Sequence, residues 1–167
     1  MLAIVSRREV RHYDGRPVPD EIARRILEAG RLAGSAQNRQ PWRFLVLENR
    51  ELVERVAETV FEPGNLRGAA LVVALVVRGK GPVQFDAGRA AQNMLLAAWD
   101  LGVGGCPNGM QDRERTADLL GLGEEERPAI ILSFGYPARP RDPSSRTVDE
   151  WLAKAPRKPL DEIVERL

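Results

Sequence analysis

Nine consecutive apolar residues, AALVVALVV at 69–77, set the strongest limit on what this chain can fold into. The run is about half the length that a helix needs to span a bilayer, so it reads as a buried strand and gives no membrane role. Around it the chain has the make-up of an ordinary globular protein. Its 167 residues are 43% hydrophobic and 29% charged, which fits one domain over 1–167 and argues against disorder.

Lys plus Arg number 25 and Asp plus Glu 24, a formal charge of +1. No global basic field exists to hold a nucleic acid or an acidic membrane, so any anion site must be local. The single cysteine, Cys106, excludes an intrachain disulfide, and the opening MLAIVSRREV lacks the apolar core of a secretory signal. A cytoplasmic setting is expected.

In PVPDEIARRILEAGRLAG, Ile22, Ile26, Ala29 and Ala33 recur at helical steps, with acids in the first turn and Gly34 at the end. RFLVLE at 43–48 predicts a buried strand. ELVERVAETVF at 51–61 predicts an amphipathic helix, supported by the spacing of Glu51 and Arg55. DAGRAAQNMLLAAWDL at 86–101 places Ala87, Ala90, Ala91, Met94, Leu95 and Ala98 on one stripe, which predicts a central helix that another helix can approach closely. GVGGCPNG predicts a short strand entering a glycine-rich loop, DRERTADLLG a helix stopped by Gly121, and PAIILSFGYP a strand. The tail, SRTVDEWLAKAPRKPLDEIVERL, holds two short helical patterns around APRKP. Helices and strands mix without strict alternation, and no G-x-G-x-x-G follows a strand, so an α+β sandwich is favoured over a doubly wound fold.

Between the first helix and the next strand stands SAQNRQPW, 35–42, whose amides and arginine suit an acceptor-rich ligand. SRREVR brings Arg7, Arg8 and Arg11 to the start of the first element, and Arg157 with Lys158 lie near the other end of the chain. Together they would grip a phosphate, although a solvated helix face fits the same residues. GGCPNG at 104–109 offers unobstructed backbone N–H groups to a flat ring or an oxyanion, with a tight turn as the alternative. His12 is the only histidine and no G-x-S-x-G accompanies it, which argues against a Ser-His-Asp triad; one Cys and one His give no zinc spacing. Cys106 reads as a small buried thiol, and Trp42, Trp99 and Trp151 read as core or interface anchors.

Taken in order, SRREVRHYDGRPVP, SAQNRQPWRFLVL, AAQNMLLAAWDLGVGGCPNG, ILSFGYP and PRKPLDEIV closely resemble the nitroreductase family of FMN-dependent oxidoreductases, nearly end to end. The resemblance implies an α+β fold of nitroreductase type: a three-layer sandwich with a mixed central β-sheet flanked by helices, assembled as a domain-swapped homodimer. It implies FMN at the subunit interface. Ser35 and Asn38 would reach the flavin from the partner subunit, and Gly34 and Ala36 would touch it through backbone. Arg7, Arg8 and Arg11 would surround the phosphate and the pyrimidine edge, Arg157 would close on the phosphate, and Asn65 or Arg67 would serve the pyrimidine edge. Pro107, Asn108 and Gly109 would lie along the isoalloxazine, with a backbone N–H near its N5, where a donor stabilises charge on the reduced ring.

The implied activity is hydride transfer from NADH or NADPH through FMN to a small acceptor such as a nitroaromatic or quinone, in a ping-pong cycle. No side chain is expected to be catalytic in itself and no metal is expected. The alternatives are a flavin-binding or storage protein with little turnover, or dehalogenation, flavin cleavage or deazaflavin use on the same fold.

Three departures from the family pattern bear on the site. Glu9 stands where a serine is usual and would repel a phosphate unless it points away or pairs with an arginine. Ala155 stands where a second basic residue is common, leaving Lys154 or Lys158 as substitutes. Only RGKGPVQ separates Val77 from Phe85, where larger members insert helices, which implies an open pocket. The alanine-rich helix is expected to core the dimer interface, with Ala91 against the partner.

Overall fold

The computed structural model describes residues 1–167. Four strands, β1 (Trp42–Val46), β2 (Leu71–Arg78), β3 (Gly104–Asn108) and β4 (Glu126–Gly135), form one sheet in the order β1-β2-β4-β3. The apolar run supplies β2, which pairs with β1 on one side and β4 on the other. Its residues Leu71 to Val77 are all buried. Alternate side chains of a strand point to opposite faces. Leu71, Val73, Leu75 and Val77 therefore enter one core, and Val72 and Ala74 the other. With both faces covered, the run needs no polar alternation.

Seven helices surround the sheet: α1 (Leu2–Ser6), α2 (Asp20–Arg31), α3 (Arg50–Ala57), α4 (Gly64–Arg67), α5 (Val83–Asp100), α6 (Arg113–Leu119) and α7 (Val148–Ala153). Ile26 of α2 and Ala87, Ala90, Met94 and Leu95 of α5 fill the first core. Val53 and Val56 of α3 with Leu66 of α4 fill the second, and Leu119 of α6 packs against it. The three expected layers are present. No helix is long and apolar enough to cross a membrane.

The expected mixed sheet is antiparallel across all four strands; its parallel component is the single bridge between Glu9 and Gly105. SRREVR does not open a helix. The arginines follow α1 in extended backbone, and Val10 N–H donates to the Gly105 carbonyl at 3.1 Å. GGCPNG is not a loop up to its last residue, because its first five residues form β3. Glycine is required there for packing: a Cβ at Gly104 would lie 2.6 Å from Val10 and one at Gly105 2.7 Å from Phe134. The predicted strand 43–48 and helix 51–61 end early, at Val46 and Ala57. In β4, the register shifts opposite Leu75 and Val76, beside Pro128, whose ring leaves no N–H to donate.

The alanine stripe of α5 faces its own sheet. Ala91 is 7% exposed and belongs to the first core, so it does not await a partner as expected. Small side chains let this helix lie close over the strands, while Gly30 of α2 admits Met94 so tightly that a Cβ would stand 2.8 Å from it. The solvent face of α5 carries Phe85, Gly88, Arg89, Gln92 and Asn93 instead.

Candidate functional site

The N-terminal arginines are held by contacts that differ for each. Arg7 Nη2 donates to Glu9 Oε1 at 2.8 Å, so Glu9 pairs with an arginine and its charge is partly answered. The other two atoms of this pair, Arg7 Nη1 and Glu9 Oε2, are buried with no hydrogen-bond partner. Arg8 donates to the carbonyls of Val5 at 2.6 Å and Trp151 at 3.1 Å, and its guanidinium lies 5.4 Å from the centroid of the Trp151 ring. Burial lowers the Arg8 pKa, and the neighbouring charges of Arg157, Arg141 and Arg7 lower it further. The fold thus draws Arg157 from the far end of the chain into the same cluster. Arg11 is exposed and lies beside Cys106, whose thiol is pushed up chiefly by burial while Arg11 opposes the shift.

Beyond these residues opens a cleft of about 620 Å³, lined by Glu9, Arg11, His12, Pro137, Arg139 and Arg141. His12 itself is exposed. Along β3, the Asn108 side chain turns into the fold. Its Nδ2 donates to the Cys106 carbonyl at 3.0 Å and to Ser133 Oγ at 3.0 Å, and its Oδ1 accepts from Asn65 Nδ2 at 2.9 Å. Only the backbone of Asn108 is left to face a ligand. Asn65 is oriented by this bond, whereas Arg67 is drawn to Glu54 at 2.5 Å. The Gly109 N–H donates to no backbone carbonyl. Its carbonyl accepts from Phe61 N–H at 3.1 Å, and the 67% exposed Phe61 ring stands 3.3 Å from where a Gly109 Cβ would be.

SAQNRQPW takes an unusual backbone path. Gln37, Asn38 and Gln40 have φ of 54°, 54° and 50°, in the left-handed region that side chains other than Asn and Asp rarely adopt. Two contacts hold it there. Ser35 Oγ accepts from Gln40 N–H at 2.8 Å, and the buried Asp86 carboxylate accepts from Ala36 N–H at 3.1 Å. Gly34 sits against Arg89: a Cβ there would lie 2.5 Å from Nη2. Strained backbone clusters where a ligand must be met in one conformation.

These two groups of expected site residues lie at opposite ends of α5. The loop with Gly34, Ser35, Ala36 and Asn38 is tied to its first turn by Asp86. The arginine group is tied to its last turn, where Trp99 Nε1 donates to Ser6 Oγ at 2.9 Å. From residue 86 to residue 99 a helix rises roughly 20 Å. Arg7, Arg8 and Arg157 thus belong to one end and the loop residues to the other, while β3 leads away from the arginine end and brings Asn108 level with Ile131 and Ala74 in the middle of the sheet.

Sequence reasoning missed Asp86, Phe61, Arg139 and Arg141. Asp86 stands at the start of its helical pattern, a common place for an exposed acid, and its burial has no sequence mark. Arg139 and Arg141 stand in ARPR, where the arginine spacing was a signal, but the prolines made the segment read only as an irregular connection.

The chain is similar in sequence and fold to known proteins. A protein of Archaeoglobus fulgidus, named as an NADH dehydrogenase/NAD(P)H nitroreductase, is 36% identical over 150 residues, covering 83% of this chain and 86% of its own. A crystal structure from Desulfovibrio desulfuricans, described as a nitroreductase in complex with FMN, superposes with a TM-score of 0.80 at 31% identity, covering 99% of this chain and 94% of the other. NADPH:FMN oxidoreductase from Vibrio harveyi, complexed with NAD+, superposes with a TM-score of 0.84 over 98% of this chain and 75% of its own; at 22% identity the likeness concerns the fold. The Nitroreductase family profile matches residues 4–81 and 78–136, and the chain belongs to the nitroreductase family.

Proposed function

We infer that the chain is an NAD(P)H-dependent FMN oxidoreductase, one FMN-binding domain that works as a homodimer and passes electrons to a small planar acceptor such as a nitroaromatic or a quinone. The observation that carries the reading is the split site: residues suited to one flavin lie roughly 20 Å apart along α5 in a single chain. Two copies related by a two-fold axis bring the arginine end of one against the loop end of the other. Exposed Leu160, Ile163, Val164 and Leu167 in the tail support this, since a lone chain leaves them in water and a partner would cover them.

The residues present fit FMN. Arg7 Nη1 is buried and lacks an acceptor, which a phosphate oxygen would supply. Arg8, Arg11 and Arg157 add charge around it, and the pairing of one Glu9 oxygen with Arg7 partly answers the Glu9 charge. Gly109 N–H is free to donate to the flavin ring, and the absent Cβ at that position lets the ring approach. Ser35 and Asn38 of the partner would complete the cradle. FMN held there would supply the redox chemistry that links NAD(P)H to the acceptor. The exposed Phe61 ring beside Gly109 would give an acceptor held there an aromatic wall, which favours flat substrates. A single buried thiol, Cys106, suits a cytoplasmic setting.

The direct test is the visible spectrum of protein incubated with FMN and desalted, followed by anaerobic addition of NADH or NADPH. Retained FMN near one per chain that bleaches on reduction is the expected result. Retention without bleaching would turn the reading toward flavin storage, and no retention would overturn it.

A further inference from the structure

The cationic cluster is larger than one flavin phosphate requires. Beside the cleft at Glu9 and Arg11 lies a second, also of about 620 Å³, which shares Arg139 and Arg141 with the first and adds Arg146 and Lys154. None of these four cations is ion-paired; the six ion pairs of the chain use other arginines. The one acid in the lining, Asp142, is already engaged, accepting from Ser144 N–H at 2.8 Å and Ser144 Oγ at 2.6 Å. Arg146 is fixed in place over Trp151, 4.9 Å from its centroid, on a ring that also carries Arg8.

A phosphate monoester carries about two negative charges at neutral pH. Arg7, Arg8, Arg11 and Arg157 are enough to match the one on FMN. Four cations without an ion pair remain against two nearby acids, Asp142 in the lining and Glu150 beside Arg146, a local positive excess that suits a second, densely charged anion. The two clefts meet at Arg139 and Arg141, and the first extends to Glu9, beside the start of β3. From Gly105, bridged to Glu9, to Gly109 the strand direction spans on the order of 14 Å, a gap that a dinucleotide lying along β3 can cross.

We propose that the cleft framed by Arg139, Arg141, Arg146 and Lys154 receives the 2′-phosphate end of NADPH, so that NADPH rather than NADH is the reductant. Arginine forks bind the three oxygens of a terminal phosphate by paired charge-assisted bonds, which the free 2′-hydroxyl of NADH cannot accept with equal strength. The assignment rests on the reading of the chain as an NAD(P)H-dependent FMN oxidoreductase, and its test includes a binding measurement that needs neither flavin nor turnover.

Adenosine 2′,5′-bisphosphate and 5′-AMP are titrated calorimetrically into the purified protein and into Arg141→Ala and Lys154→Ala, whose exposed side chains carry no core packing. The bisphosphate should bind about tenfold or more tightly than AMP, and each substitution should remove most of that difference. In steady state the same variants should lose about tenfold in kcat/KM for NADPH and less than about twofold for NADH, with FMN retained. Equal binding of the two nucleotides, displacement of the bisphosphate by inorganic phosphate at equal concentration, or equal losses for both reductants would overturn the assignment. Selective bisphosphate binding by a protein that retains no FMN would support the anion site and strike the flavin reading alone.

Discussion

The Asp86 carboxylate is 3% exposed, sits in the first turn of α5 and accepts the Ala36 N–H. The helix N-terminus favours its charge, and a bond to a charged acceptor contributes about 1.5–3 kcal/mol. Backbone in the left-handed region costs of order 1–3 kcal/mol for each residue that is not glycine. Three such residues follow Ala36, so the loop needs Asp86 and Ser35 to stay in its ligand-ready path. Asp86→Ala should weaken FMN retention by about tenfold or more, whereas Asp86→Asn, which keeps an acceptor, should restore most of it, as equilibrium dialysis with FMN can measure. Unchanged affinity in Asp86→Ala would remove Asp86 from the site. Residue types suggested a ligand at SAQNRQPW, but the side-chain directions were hidden. Asn108 was expected along the isoalloxazine, and its side chain is turned into the fold, leaving its backbone for that contact; of the two outcomes open to Glu9, repelling a phosphate or pairing with an arginine, the fold takes the pairing with Arg7.

At the scale of elements, periodicity gave α5 its buried stripe and could not say what fills the space opposite. That depends on the sheet, and the stripe lies on β2 and β4 instead of on a partner. Glycine-rich GGCPNG misled for a related reason: glycine is a poor strand former, yet here Val10 and Phe134 need the room that only an absent Cβ leaves. The apolar run at 69–77 was legible because a strand covered on both faces leaves a continuous signature. The open face of α5 gives the partner-contact prediction its place. Nothing lies within 4 Å of a Cβ built on Gly88, so Gly88→Arg costs the single chain nothing in packing and improves helix propensity by up to ~1 kcal/mol. Light scattering and absorption should show a folded monomer without flavin. A flavin-loaded dimer from Gly88→Arg would move the interface off this face.

For the whole molecule, a net charge of +1 conceals a strongly basic corner where both ends of the chain meet, because acids elsewhere balance it. Composition excluded a global field and could not locate the local one, which arises only when the fold brings 139–157 beside 7–11. The same long-range geometry sets the arginine group and the SAQNRQPW loop, the two parts of the proposed flavin site, at opposite ends of α5. The most direct test is therefore complementation. One variant loses the arginine half by Arg7→Ala with Arg11→Ala, the other the loop half by Ser35→Ala with Asn38→Ala, and neither alone should retain FMN. Produced together in equal amounts, half of the dimers are mixed, and each mixed dimer holds one intact site, so about a quarter of the sites should retain FMN after desalting. No FMN in the mixture would contradict a site built from two chains.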